Sequence, residues 1–435
     1  MRSRVIGIAL VVALAASGCS LFGDDGSGSR ATPARAATAS TGPAPHVEPC
    51  GPGTAHGATD TGVDDRTITI ATIADVGGVR PNLFLGNWQA MDAFVAFCNS
   101  LGGVNGRQLR LVKLDSALFD QRAQTILACD SAFALVGSAA ALDGAGAQSG
   151  ADCGIPDIPA FSAEPQHASA SNVVQPLPNP PDSYPVGPGR YLAQRFPDAV
   201  KHAAMLYSSV GVTLVQARRQ MESYQGVGFR FVDQVPFDVV SADFGSIVAK
   251  LHQPLGYVYV QGELTDLISV QQALAARGIK PTIVDAGQQA YDPAYVKQGG
   301  AAVEGTYVLA TTVPFSEAAS SPEMQRYLHW LAVTHPGAQP TALGVQGWSA
   351  GLLFADALKS LGSNVTRAGL LDALRNIHHW DGNGIHIPTD PGGNRQLGCF
   401  MYLQVRNGQF VRAFPARGFS CSPDNVVALK DSTPR

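Results

Sequence analysis

The chain is predicted to be an α/β protein of two lobes, each a doubly wound parallel sheet. Three observations predict it. Residues 67–161 alternate short β-branched runs with stretches of helical period, residues 203–310 repeat the alternation, and a proline-rich segment at 166–190 separates the two series. Strand, helix and strand in succession make parallel neighbours whose connecting helices cover the sheet on both faces. With 435 residues, each lobe has enough chain to bury its own core.

In the first series Thr67 to Ile73 reads as a strand, and Met91, Phe94, Val95 and Cys98 recur at i, i+3, i+4 and i+7 as one face of a helix. Leu109 to Leu114 is the second strand. A helix over Arg122–Asp130, a strand over Phe133 to Val136, a helix of small residues and a strand over Ile158 to Phe161 complete the unit. Pro176, Pro178, Pro180, Pro181, Pro185 and Pro188 then break the pattern, and the chain is expected to pass between lobes there. The second series has strands at Ala203 to Tyr207, Phe229 to Val235, Tyr257 to Val260, Thr282 to Val284 and Glu304 to Ala310. Its helices lie at Leu214–Tyr224, around Phe244 to Leu251 and near Leu267–Ala276. Helices at 322–334 and 344–361 follow. Cys399 to Val405 and Gln409 to Phe414 are joined by Arg406-Asn407-Gly408, a strong hairpin signal because Asn-Gly takes the positive φ angles such a turn needs.

The N-terminus carries Arg2 and Arg4, an apolar run from Val5 to Ala15 and then Ala16-Ser17-Gly18-Cys19. The run is too short for a permanent membrane span and has the form of a secretory signal. Its last four residues resemble the lipobox of bacterial lipoproteins, which implies lipidation of Cys19 and a stable membrane anchor of two acyl chains. Residues 1–18 are therefore expected to be removed. Residues 19–64, rich in Gly, Ser, Ala, Thr and Pro, read as a lipidated start and flexible tether, and 421–435 as a C-terminal tail. Extracytoplasmic placement on a membrane follows.

The formal charge is −4, more acidic once Arg2 and Arg4 are lost, with no basic stripe, so nucleic acid is excluded as a partner. Six cysteines remain besides Cys19, an even number in an oxidising compartment. Spacing alone allows fifteen pairings. The helices ending near Cys129 and Cys153 should lie side by side, Cys399 and Cys421 flank the hairpin, and Cys50 with Cys98 remain by elimination. No spacing suits a metal, no Gly-rich loop suits a nucleotide, and no cofactor is expected.

Gly347-Trp348-Ser349-Ala350-Gly351 matches the G-x-S-x-G nucleophile elbow, which would make Ser349 the nucleophile of a serine hydrolase. An elbow must close a strong strand. Thr341 to Gln346 is a poor strand and Leu352 to Leu358 continues as a helix, so no catalytic residue is assigned.

Between the first helix and second strand stands Asn99-Ser100-Leu101-Gly102-Gly103-Val104-Asn105-Gly106-Arg107, where a glycine pair ends the helix and Asn-Gly turns into the strand. Together with Asp65 to Ile70, Leu111 to Asp115 and Phe133 to Gly137, it resembles the leucine/isoleucine/valine-binding family of ABC-importer substrate-binding proteins, the type I periplasmic binding proteins. The resemblance implies a three-crossover hinge, with lobe 1 at 65–180 and 312–395 and lobe 2 at 181–311 and 396–420. It implies a monomer that captures a small polar solute, an amino acid or derivative, and delivers it to an ABC permease and ATPase. A ligand sensor or partner-docking lipoprotein of the same fold is the alternative.

Open parallel sheets bind ligands beyond the carboxyl ends of their strands. This selects Ser138, Ala139, Ala140, Ser162, Ala163 and Glu164 in lobe 1, and Ser208, Ser209, Glu263, Asp266 and Gln288 in lobe 2. Helix-start N–H groups after Val136 suit a carboxylate, and Glu263 or Asp266 an ammonium. The chain departs from amino-acid-binding members: Ala139-Ala140-Ala141 stands for expected hydroxyls, no threonine lies near Glu164 to Gln166, and Val210-Gly211 replaces an aromatic-Gly pair.

Overall fold

A computed structural model describes residues 44–430 except Ala163, Val210 and Val239. The signal, Cys19 and residues 431–435 lie outside the described residues. Lobe 1 holds strands β1 (Thr67–Ala74), β2 (Gln108–Asp115), β3 (Ala134–Val136) and β4 (Asp157–Ile158), parallel in the order β2-β1-β3-β4. A short strand β5 (Ser183–Pro185) lies in the first crossing. Lobe 2 is built on β6 (Ala203–Ser208), β7 (Phe231–Phe237), β8 (Tyr257–Gln261), β9 (Ile283–Ala286) and β10 (Tyr307–Ala310), in the order β7-β6-β8-β9-β10. Both sheets reverse strand order beside their first strand, which opens a crevice at the carboxyl ends of β1 and β3, and of β6 and β8.

The chain crosses between lobes three times. After residues 176–186, the second and third crossings pair antiparallel: Val313 N–H donates to Ile385 O at 2.8 Å and Ile387 N–H to Thr311 O at 2.8 Å. The third carries β11 (Thr389–Asp390) and β12 (Arg395–Gln396) into β13 (Cys399–Arg406) and β14 (Gln409–Phe414), which extend the lobe 2 sheet antiparallel. The hairpin turns at Asn407 and Gly408, with φ of 51° and 68°.

Four layers of core, one on each face of the two sheets, explain the helices. Helices α1 (Leu85–Ser100), α10 (Pro322–Thr334) and α11 (Ala342–Ser360) pack on one face of the lobe 1 sheet around Trp348, whose ring meets Phe94, Phe97 and Tyr327. On the other face α2 (Gln121–Ser131) and α3 (Ala147–Cys153) end side by side, tied by Cys129–Cys153 with a Cα separation of 6.1 Å. In lobe 2, α8 (Leu264–Ala276) and α9 (Pro293–Gly299) cover one face and α5 (Gly187–Arg195) and α6 (Gly211–Gln225) the other. Cys50–Cys98 and Cys399–Cys421 are also bonded.

Two expected boundaries are corrected. Residues 44–64 are no tether: Cys50 and Val63 are buried in the lobe 1 core, and Gly51 N–H donates to Gly103 O at 2.6 Å. Their small polar composition hid this because the disulfide and backbone bonds, not an apolar face, hold them. Residues 421–430 are no tail either, since β15 (Ser420–Cys421) pairs with β13 and β16 (Val426–Ala428) with β5.

Ser349 sits wholly buried in α11. Trp380 Nε1–H donates to its Oγ at 2.9 Å, and Ser349 Oγ–H donates to His386 Nε2 at 2.8 Å. His386 Nδ1–H is spent on Ile387 O at 2.6 Å, and burial pulls its pKa down to about 4. A nucleophile elbow exposes its serine; here the motif is helix core.

Candidate ligand-binding cleft

Two adjoining cavities lie where the lobes meet. The inner one, about 250 Å³, takes Phe84, Phe161, Ser162 and Gln346 from lobe 1, and Gln216, Tyr259, Gln261 and Glu263 from lobe 2. Leu177 to Asn179, Tyr184, Thr311 and Ile387 of the crossings complete it. The outer one, about 560 Å³, shares Phe84, Glu263, Gln288, Gln289 and Leu343 with it and adds Arg80, Asn87 and Asp292. The inner walls are mostly apolar, relieved by amide side chains, which is the usual composition of a small-molecule site.

The lobes touch across this cleft. Arg80, from the loop after β1, reaches Asp266 Oδ1 at 3.4 Å and Thr265 Oγ1 at 3.3 Å at the start of α8. Gln346 Nε2–H donates to Gln288 Oε1 at 2.8 Å, and Val212 N–H to Ala141 O at 3.4 Å. The cleft is in a closed arrangement.

Of the residues selected from sequence, Ser162, Glu263 and Gln288 line the inner cavity. The others are corrected as follows. Ser138, Ala139 and Ala140 are buried and line neither cavity; the Ser138 hydroxyl accepts the Ile73 N–H at 3.1 Å. Glu164 accepts the Gly144 N–H at 2.8 Å, and Ser208 and Ser209 also stand off the cavities. Ala163 lies outside the described residues. Asp266 is consumed twice over, accepting the Glu263 N–H at 2.9 Å as a helix cap besides pairing with Arg80.

The donors expected for a ligand carboxylate are likewise taken from within. Ala141 N–H donates to Asp75 Oδ2 at 2.8 Å, and the other Asp75 oxygen accepts from Ser116 Oγ and Leu118 N–H, each at 2.7 Å. Asp75 is fully buried and draws the loops after β1, β2 and β3 onto one carboxylate. With Glu164 on Gly144, the start of the segment after β3 already holds its anions.

Glu263 is the ionisable carboxyl group of the inner cavity. Burial, reinforced by the charges of Asp266 and Asp75 and opposed by Arg80, pushes its pKa up to about 7. It stands at the junction of the two cavities, where it can pair with a cation or, protonated, donate a hydrogen bond. Gln216, Gln346 and Phe84 were not selected from sequence, because they lie on helices and a loop away from the strand ends. The one available signal was Gln346, a long polar side chain in the buried first half of a largely apolar helix.

A model of the periplasmic binding protein family matches residues 67–409. The chain belongs to this family. No curated protein matches the sequence of this periplasmic binding protein. Among solved structures, a leucine binding protein from Thermotoga maritima superposes with a TM-score of 0.69 at 19% identity, over 82% of this chain and 100% of that one. A fatty acid ABC transporter substrate-binding protein from Thermomonospora curvata gives 0.68 at 18%, over 82% and 93%. A solute binding protein from R. palustris in complex with 4-hydroxybenzoate gives 0.67 at 15%, over 80% and 95%. At these identities the likeness is one of fold.

Proposed function

We propose that this periplasmic binding protein is the tethered receptor of an ABC importer, and that it captures an amino-acid derivative lacking a free carboxylate. The observation that carries this is the internal carboxylate: Asp75 and Glu164 hold the N–H groups of Ala141 and Gly144 that a ligand carboxylate would need. Among the described residues, those lining the inner cavity include no Lys, Arg or His to replace them. An amino group has Glu263 to face, and an apolar body has the walls around it. Closure follows because a ligand touching both lobes binds the closed form alone. The captured solute passes to a permease and ATPase, and Cys19, outside the described residues, carries the lipid.

Calorimetry with leucinamide and leucine tests the ligand reading. Leucinamide should bind at least about tenfold tighter, since an unpartnered carboxylate pays its desolvation without return. Equal or tighter binding of leucine would count against it. Cys19→Ser should move the protein from the membrane to the soluble fraction on cell fractionation, and an unchanged membrane-bound variant would refute the anchor.

A further inference from the structure

The inner cavity contains polar atoms that the fold leaves unsatisfied. Ser162, 1% exposed, lines it with an Oγ that has no hydrogen-bond partner among the described residues. Gln346, also 1% exposed, spends its Nε2 on Gln288 and leaves Oε1 unpaired, while Gln288 Oε1 is further held by Thr311 Oγ1 at 2.7 Å. From the other lobe, Gln216 on α6 presents a buried Nε2 with no partner. Buried polar groups in native proteins are almost always paired, so three lining one cavity call for an explanation. One donor, one acceptor and one hydroxyl that is both ask for a ligand bearing both kinds of group.

The remaining wall restricts its shape and charge. Phe84 and Phe161 meet edge to face with centroids 5.3 Å apart, and Tyr184, Tyr259 and Phe400 close the same space. Such walls favour a flat ring, which packs offset or edge-on against aromatic neighbours. No cationic side chain lines the cavity among the described residues, so an anionic ring would be buried without a counter-charge.

We propose that the body of the captured solute is an uncharged ring whose edge carries a donor beside an acceptor, as in an aromatic carboxamide or cyclic amide, bound by Ser162, Gln216 and Gln346. This rests on the capture reading for the same cleft and sharpens what the captured solute is. Ser162 and Gln346 belong to lobe 1 and Gln216 to lobe 2, so pairing all three also favours closure.

Three ring-matched probes test it by calorimetry on the mature chain: benzamide with donor and acceptor, acetophenone with the acceptor alone, and benzoate with a charge. Benzamide should bind about tenfold tighter than acetophenone, the effect of one well-placed hydrogen bond. Benzoate should be weaker than benzamide by about a hundredfold. Gln346→Leu should abolish the difference between benzamide and acetophenone, and Ser162→Ala should weaken benzamide about fivefold. Ser162→Ala should melt no lower than the parent, since it removes an unpaired group, whereas Gln346→Leu also gives up the bond to Gln288 and is compared with the parent by its ligand discrimination. Acetophenone or benzoate matching benzamide overturns the inference, as does failure of all three to bind. Leucinamide captured where benzamide is not leaves the capture reading standing without this inference, and failure of both overturns both.

Discussion

Replacing Arg219 by leucine is expected to destabilise the protein by at least about 3 kcal/mol, since it orphans three acceptors at about 1–3 kcal/mol each. Arg219, 6% exposed on α6, donates through Nη1 to Asn179 Oδ1 at 3.0 Å and through Nη2 to Pro180 O and to Ser183 O, the latter at 2.6 Å. Its guanidinium also lies over the Tyr184 ring at 5.4 Å. One lobe 2 side chain thus satisfies the carbonyls of the proline-rich first crossing, where few backbone partners are available. Arg219→Lys keeps the charge but not the planar fork and should lose a large part of the same stability. Denaturant titration measures both, with the midpoint falling at unchanged slope. Because Asn179 lines the cavity and donates to Ser162 O at 3.0 Å, ligand affinity should fall as well. A loss below about 1 kcal/mol, the size of an ordinary surface change, would refute this role.

The second large effect is a stability that declines as pH rises towards neutrality. Burial pushes Asp285 up to about 7, despite hydrogen bonds donated by Tyr257 at 2.8 Å and Tyr402 at 3.3 Å, while Glu263 reaches about the same value at the cleft. Tyr184, Tyr224 and Tyr259 also surround Asp285, and Arg80, Asp75 and Asp266 surround Glu263. A carboxyl group whose folded pKa exceeds its unfolded one binds protons more tightly in the native state. Its contribution is complete below the ordinary values of 3.8 for Asp285 and 4.5 for Glu263, and is lost as pH rises through about 7. Asp285→Asn and Glu263→Gln remove that penalty. Each variant should gain stability relative to the parent between pH 5 and pH 8, by a few kcal/mol at most. Urea titrations at the two pH values measure it, and a difference that does not change with pH would show that neither group titrates in this window.

Much of the fold was legible because it is written locally. Thr67 to Ile73 and Tyr257 to Val260 are apolar runs bounded by turn residues, and Asn407-Gly408 adopts the positive φ that its sequence calls for. Gly102 and Gly103 likewise take φ of 104° and 80°, and a Cβ on Gly103 would lie 1.9 Å from Arg107 O. The cleft was only partly legible. Glu263 could be named because it follows a strand. Asp266, three residues on, has the same chemistry, but its fate is decided by Arg80, a residue far away in the chain. The helix-start donors after Val136 misled for the same reason: their availability depended on Asp75, which no spacing rule connects to Ala141. Gln216 and Gln346 reach the cavity from helix interiors, where a polar residue ordinarily marks a solvated face.

The segment entering at residue 44 determines which half of the molecule is fixed. Ala44 N–H donates to Asp381 at 2.9 Å, Val47 N–H to Asn383 at 2.8 Å, Lys359 Nζ to Glu48 O at 2.7 Å, and Cys50 is covalently bound to Cys98. Every one of these attachments is to lobe 1. A pull on this segment would therefore be taken up by lobe 1 before it reached lobe 2. If the chain is anchored upstream as proposed, lobe 1 is the moored half, and lobe 2 is the half left to move on the crossings and meet a permease.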